Sequence, residues 1–295
     1  MPSPSVFASV EDATAALADG KYLASRALST AVFLAASLNR PLLLEGEAGV
    51  GKTAAARALA VALQKPLARL QCYEGIDIAA AVYDWDYPRQ LLAAKLRPDS
   101  APADLYGEEF LLRRPLLRTL TASPAPVLLI DEIDRADEPF EAFLLEFLAE
   151  WQITIPEFGT IKTAEPPLTI LTSNRTREIH DALKRRCLYH WVDFPAPARE
   201  AEIVRMHHPE LGESLTTQIV AFVRRLRTLD LYKLPGVAET ADWARAIACM
   251  EKDSLREDVV AETLGVLLKH RDDIALAHRH GVDNLLRDEF GGGGG

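Results

Sequence analysis

The chain has 295 residues, 48% of them hydrophobic, enough for one sizeable core and a second small domain. Its 33 basic and 43 acidic residues give a formal charge of −10, which argues against a general electrostatic grip on nucleic acid but leaves room for a local basic patch. Three cysteines, Cys72, Cys187 and Cys249, form neither a disulfide framework nor a zinc spacing, and predict buried, inert thiols in a reducing cytoplasmic setting.

No apolar run has the length of a membrane span, since Ala31–Leu38 ends at Asn39 and Arg40. The opening Met1-Pro2-Ser3-Pro4 lacks a basic region followed by an apolar one, so no signal peptide is expected. Ser9 with Asp12 resembles a capping box and predicts a short helix ending near Gly20; an Ala-rich helix is expected over Tyr22–Leu38. Pro41–Leu44 is then a short apolar run before glycines, the pattern of a buried parallel strand. Similar runs recur at Leu67–Cys72, Val127–Ile130, Leu168–Thr172 and His190–Phe194, with helical patterns between them. The alternation predicts an α/β fold, an αβα sandwich around a mainly parallel five-stranded sheet.

Asp137, Glu138 and Pro139 cap the clearest helix, in which Phe140, Phe143, Leu144, Phe147, Leu148 and Trp151 share one face as core packing. Gln152–Ile161, turning at Pro156–Gly159, reads as a hairpin inserted before the strand at Leu168. The segment Asp84–Pro88, aromatic and acidic, has no clear place in this pattern. After Phe194 the chain is helical and charge-rich. The expected organisation is a nucleotide-binding core over 1–194, an all-helical domain of about four helices over 195–290, and a flexible glycine tail over 291–295.

The chemistry concentrates in two segments. Gly46-Glu47-Ala48-Gly49-Val50-Gly51-Lys52-Thr53 matches G-x-x-x-x-G-K-[ST] and lies between a strand and a helix, as a phosphate loop must. Its glycines let backbone N–H groups curl around phosphates, and the helix adds the positive end of its dipole. Lys52 would neutralise the β and γ phosphates of ATP, and Thr53 would offer its hydroxyl to Mg²⁺. Val127–Ile130 ends in Asp131 and Glu132: the first would hold Mg²⁺, mostly through water, and the second would align the attacking water. Taken alone, such a pair could be solvated acids at a strand end. With the phosphate loop upstream, it falls where an α/β sheet binds its ligand.

Asp131–Ala136, the helix after it and the Gln152–Ile155 turn resemble the MoxR branch of the AAA+ ATPases, a likeness that spans about Ala18 to Leu286. Arg69–Gly75 and Gly236–Trp243 resemble one sub-branch, whose members are encoded beside molybdenum hydroxylases such as carbon monoxide dehydrogenase. The resemblance implies a P-loop AAA+ core with a helical lid, a hexameric ring, and ATP bound between core and lid. It also implies a partner with a von Willebrand factor A domain, and a molybdenum hydroxylase client that is opened for sulfur or copper insertion. By position, Asn174 matches the sensor-1 residue that orients the lytic water; the alternative is a loop-turn asparagine. Arg186 matches the arginine finger, with Arg185 a close competitor and a solvated basic helix end the plainer reading.

Two departures stand out. Arg175 occupies a place where MoxR relatives usually have proline, so the sensor loop is expected to differ in shape. The lid lacks the usual Ser-Pro-Arg, and Arg245, about one turn into its helix, is either sensor 2 or a surface arginine. His278 and His280 lack ligand spacing and read as exposed helix positions. Competing classes are a nucleic-acid-acting AAA+ protein of the helicase-loader type, a nucleotide-dependent scaffold, and a small-molecule kinase. The acidic balance disfavours the first, Glu132 and Asn174 the second, and the inserted hairpin and helical C-terminal domain the third.

Overall fold

The computed structural model describes residues 6–96, 102–250 and 254–287. The glycine run expected as a tail lies outside them. Internal contacts group the chain into two compact units, Met1–Gly46 with Lys52–Trp191, and Glu47–Gly51 with Val192–Gly295.

The first unit opens with α1 (Val10–Asp19), α2 (Arg26–Leu38), β1 (Leu42–Glu45), α3 (Lys52–Ala62), β2 (Leu67–Gln71), α4 (Ile78–Ala81), β3 (Tyr83–Trp85) and α5 (Tyr87–Leu96). It continues through β4 (Leu111–Arg113), α6 (Pro115–Thr121), β5 (Val127–Asp131), α7 (Glu138–Glu150), β6 (Gln152–Ile155), β7 (Gly159–Lys162), β8 (Leu168–Ser173), α8 (Asp181–Arg186) and β9 (Leu188–Trp191). The main sheet has five strands in the order β2-β5-β8-β1-β9, every pair parallel. Every residue of β1 and β5 is buried, because helices pack on the sheet and leave no polar face for alternation to record.

Local chemistry sets several boundaries. Ser9 caps α1 by accepting from the Asp12 N–H at 3.1 Å, while the Asp12 carboxylate reaches back to the Ala8 N–H at 2.9 Å. Helix α2 begins at Arg26 rather than Tyr22, because the Ser25 hydroxyl accepts from the Leu28 N–H and makes Ser25 the cap. The last strand is Leu188–Trp191 rather than His190–Phe194. It starts where the Leu188 N–H donates to the Pro41 carbonyl at 2.8 Å and pairs along all four residues of β1. The inserted hairpin forms as expected, with Ile153 opposite Ile161. The unplaced segment at 84–88 straddles β3 and the start of α5; β3 pairs antiparallel with β4, and Trp85 is buried edge-on against Tyr106 at 5.2 Å.

The second unit contains six helices among the described residues, not about four: α9 (Pro197–His207), α10 (Glu213–Leu226), α11 (Val237–Cys249), α12 (Glu257–Leu267), α13 (Arg271–His280) and α14 (Val282–Leu286). The last two are separated only by Gly281, whose φ of 91° ends α13; a short polar helix pair of this kind leaves little periodicity to read. Trp243 sits at the centre, fully buried, donating its indole N–H to Thr263 Oγ1 at 2.8 Å and packing on Phe222. Arg227 grips the buried Glu200 with two bonds of 2.7 Å and lies 4.3 Å from the Phe194 ring centre. Within this unit the Val237 N–H donates to the Gly49 carbonyl at 2.8 Å, and a Cβ on Gly236 would stand 2.5 Å from Gly49 Cα. Both positions therefore require glycine.

Among the described residues no helix is long and apolar enough to cross a membrane. Cys72 and Cys187 are buried as expected, but Cys249 is exposed, since it ends α11 away from the face carrying Trp243, Ala244 and Ile247.

Candidate nucleotide site

Strand β8 lies between β1, which feeds the phosphate loop, and β5, which ends in Asp131. This order puts the two motifs two strands apart at one end of the sheet, with Thr172 between them. In the loop, Gly46, Gly49 and Gly51 have φ values of 157°, 79° and 99°, which side-chain-bearing residues rarely adopt. Lys52, buried at the start of α3, donates from Nζ to the Gly46 carbonyl at 2.7 Å.

Asp131 is the hub. Its Oδ1 accepts from Thr53 Oγ1 at 2.9 Å and from Thr172 Oγ1 at 2.6 Å. Its Oδ2 accepts from Arg69 Nε at 2.9 Å and Nη2 at 2.6 Å. Thr172 Oγ1 has a second task, accepting from the Glu132 N–H at 2.9 Å. Glu132 leaves the strand with φ of 55°, a left-handed conformation that directs its N–H to Thr172. Its carboxylate accepts from Gln71 Nε2 and from Arg135 Nε, each at 3.0 Å. Arg69, Gln71 and Thr172 thus belong to the site although sequence reasoning gave them no role. The spacing of Arg69 and Gln71 on one face of β2, beside Asp131 in the sheet register, was the available signal.

The donor set suits a hard divalent cation. Thr53 gives its proton to Asp131, which leaves its hydroxyl lone pairs for a metal, and all candidate ligands are oxygens. No group of three or more His, Cys, Asp and Glu residues fit to hold a metal exists among the described residues, so phosphate and water oxygens would complete this shell. His278 and His280 are exposed on α13.

Beyond β8 the loop is fastened from below. Asp134, buried, accepts from the Asn174 N–H at 3.2 Å, the Thr176 N–H at 2.9 Å and Thr176 Oγ1 at 2.7 Å. Glu141, also buried, pairs with Arg177 and accepts from the His180 N–H. Asn174 is thereby held by its backbone, which leaves its half-buried side chain free for other work. Arg175 has φ of 57°, a value closed to proline. Arg185 and Arg186 are exposed at the end of α8, and the Arg40 guanidinium fixes that helix end by donating to the carbonyls of Arg185, Arg186 and Cys187. Both arginines project without a protein partner among the described residues. Arg245 is exposed on α11 and falls in its third turn, because the helix begins at Val237.

Burial raises the Cys72 thiol to about 12, helped by the nearby carboxylates of Asp131, Asp134 and Glu132. Burial alone raises Cys187 to a similar value, and the Arg40 charge opposes it.

Residues 41–187 match the family model described as AAA domain (dynein-related subfamily). An uncharacterized protein of Staphylococcus haemolyticus is 24% identical over 218 residues, covering 72% of this chain and 76% of its own. Among solved structures, a single-substitution mutant of Thermotoga maritima RuvB superposes with a TM-score of 0.50 at 18% identity, over 93% of this chain and 76% of that one. The Thermotoga maritima RuvB Holliday junction branch migration motor aligns at a TM-score of 0.46 and 18% identity, over 90% and 71% of the two chains. The parallel sheet, phosphate loop and Asp131–Glu132 pair agree with that domain match: over residues 41–187 this chain carries an AAA domain of the dynein-related subfamily.

Proposed function

We propose that this chain hydrolyses ATP with Mg²⁺ and uses the energy to remodel a protein client, as a MoxR-type member of the AAA+ ATPases. The observation that carries the hydrolytic reading is the Thr53–Asp131–Thr172–Glu132 chain of hydrogen bonds, which joins the phosphate loop to the acid that would align water. When bound, Mg²⁺ would neutralise developing charge on the phosphates; Thr53 and Asp131 are the residues that would hold it. Lys52 supplies the fixed charge for the β and γ phosphates. Glu132 orients the nucleophile, with Asn174 just past the end of the neighbouring strand.

On this reading the core extends over 1–194 and the helical lid over 195–290, and the protein works in the cytoplasm as a hexameric ring. Arg186 of one subunit would reach the γ phosphate held by its neighbour, and Arg245 would serve as sensor 2. The client, a molybdenum hydroxylase needing sulfur or copper at its metal centre, and a partner with a von Willebrand factor A domain are proposed from the likeness at Arg69–Gly75 and Gly236–Trp243. A buried metal site must open to be loaded, and local opening requires free energy that ATP can supply.

The test is a set of variants. Lys52→Ala should lose ATP binding, whereas Glu132→Gln should bind ATP and not turn it over. Arg186→Ala should bind yet hydrolyse slowly, and mixing it with Glu132→Gln should restore some turnover, because some interfaces then pair an intact finger with an intact acid. Wild-type turnover by Glu132→Gln removes that residue from its role, and constant activity in a verified monomer removes the trans finger. Deleting the protein in a host that makes such a hydroxylase should leave the enzyme folded, cofactor-bound and inactive; a fully loaded enzyme refutes the client.

A further inference from the structure

Asp131 is among the most buried charged groups of the first unit, its side chain 3% exposed, and both of its oxygens are saturated. A buried carboxylate needs a counter-charge. Arg69 supplies such a charge to Asp131 and closes a two-pronged grip on its Oδ2. Arg69 is itself 42% exposed, so the pair has one fixed member and one that can leave toward solvent. Its other anchor is Gln71, two residues along the same face of β2, whose Oε1 accepts from Arg69 Nη2 while its Nε2 donates to Glu132 at 3.0 Å. The path from Asp131 to Glu132 therefore runs twice, once through the fixed Thr172 hydroxyl and once through the displaceable Arg69–Gln71 pair.

We propose that Arg69 is a stand-in cation for the metal: it competes with the hydrated Mg²⁺ for Asp131 Oδ2, and its departure frees Gln71 and so loosens the hold on Glu132. The two N–H donors of Arg69 occupy the directions from which Oδ2 would accept the waters of a hydrated metal, so both cannot use that oxygen. Thr53 need not move, since its proton stays on Asp131 in either arrangement. Arg69 is thus a positioning residue. It makes the arrival of metal at Asp131 and the loss of one of the two partners of the Glu132 carboxylate parts of one exchange, with Arg135 keeping its own bond of 3.0 Å to that carboxylate.

This inference rests on the ATPase reading, and the experiment separates the two. A fluorescent ATP analogue is titrated into the full chain in EDTA and again at saturating nucleotide with increasing Mg²⁺, for wild type, Arg69→Met and Arg69→Lys. Binding by the wild type in either condition tests the earlier reading; absence of binding in both overturns it and this proposal with it. Given binding, Arg69→Met should lower the half-saturating Mg²⁺ by about tenfold, the equivalent of one charge-assisted hydrogen bond. Arg69→Lys, which keeps a charge but not the fork, should fall between. Mn²⁺ in place of Mg²⁺, followed by its spin-resonance signal, should shift the same way without any turnover. A half-saturating metal concentration that is unchanged or raised in both variants overturns the proposal. Should Arg69→Met fail to fold, the direction of the Arg69→Lys shift decides alone.

Discussion

Replacing Thr172 by valine keeps the shape of the side chain and deletes its hydroxyl. Two hydrogen bonds go with it, the 2.6 Å bond to the Asp131 carboxylate and the 2.9 Å bond from the Glu132 N–H. A bond to a charged acceptor contributes about 1.5–3 kcal/mol and one between neutral groups about 1 kcal/mol, so the loss should be about 2–4 kcal/mol. Asp131 keeps Thr53 and Arg69, which holds the cost below the full penalty of an unpaired buried charge. Native domains have about 5–15 kcal/mol in hand, so the variant should still fold. Thr172→Ser keeps the hydroxyl and removes one methyl, for about 1 kcal/mol. Urea unfolding at neutral pH measures both, with equal slopes as the check that only stability has changed. ATP turnover should fall further in Thr172→Val than in Thr172→Ser, because Glu132 then loses the bond that anchors its left-handed backbone. If the two variants differ in stability by less than about 0.5 kcal/mol, the hydroxyl does not do what the geometry assigns to it.

Arg175→Pro should cost about 3 kcal/mol or more, because proline cannot adopt φ of 57° and loses the N–H that donates to Ser173, while Arg175→Gly should stay within about 1 kcal/mol; denaturant midpoints decide. Glu200→Gln leaves the Arg227 cation, 9% exposed, without its counter-charge and should destabilise the second unit by about 3–5 kcal/mol, visible as an earlier transition in Trp243 fluorescence. For the thiols, raised pKa means less thiolate at any given pH below about 12, so at pH 8 a maleimide should label Cys249 quickly and Cys72 and Cys187 only on unfolding; mass spectrometry of timed digests reads this directly. Rapid labelling of Cys72 in the folded protein would contradict its burial.

Much of the fold was legible because its signals are local. Glycines of the phosphate loop, the buried run before them and the acid pair after Val127–Ile130 are fixed by what phosphate binding requires over a few consecutive residues. The hairpin was equally plain, since a Pro156–Gly159 turn between alternating isoleucines has one economical solution. Strand β9 was displaced by two residues because its start is set by a partner far away in sequence: the Pro41 carbonyl catches the Leu188 N–H, and no feature of the apolar run itself records that. The same holds for β3 and β4, three residues each, whose pairing depends on two segments that are individually too short to show a period.

The site was legible in the residues that would touch nucleotide and metal, and illegible in those that hold them. Thr172 and Asp134 are ordinary residue types at ordinary strand and turn positions; each becomes special only because β8 lies between β1 and β5. Arg40 reads as a helix-end arginine until the chain returns, almost 150 residues later, to place the carbonyls of α8 in reach of its guanidinium. Buried polar groups must find partners, yet which partners they find is a property of topology. An acid such as Asp131 therefore announces in sequence only that something cationic will meet it. That Arg69 meets it follows from the register that sets β2 beside β5.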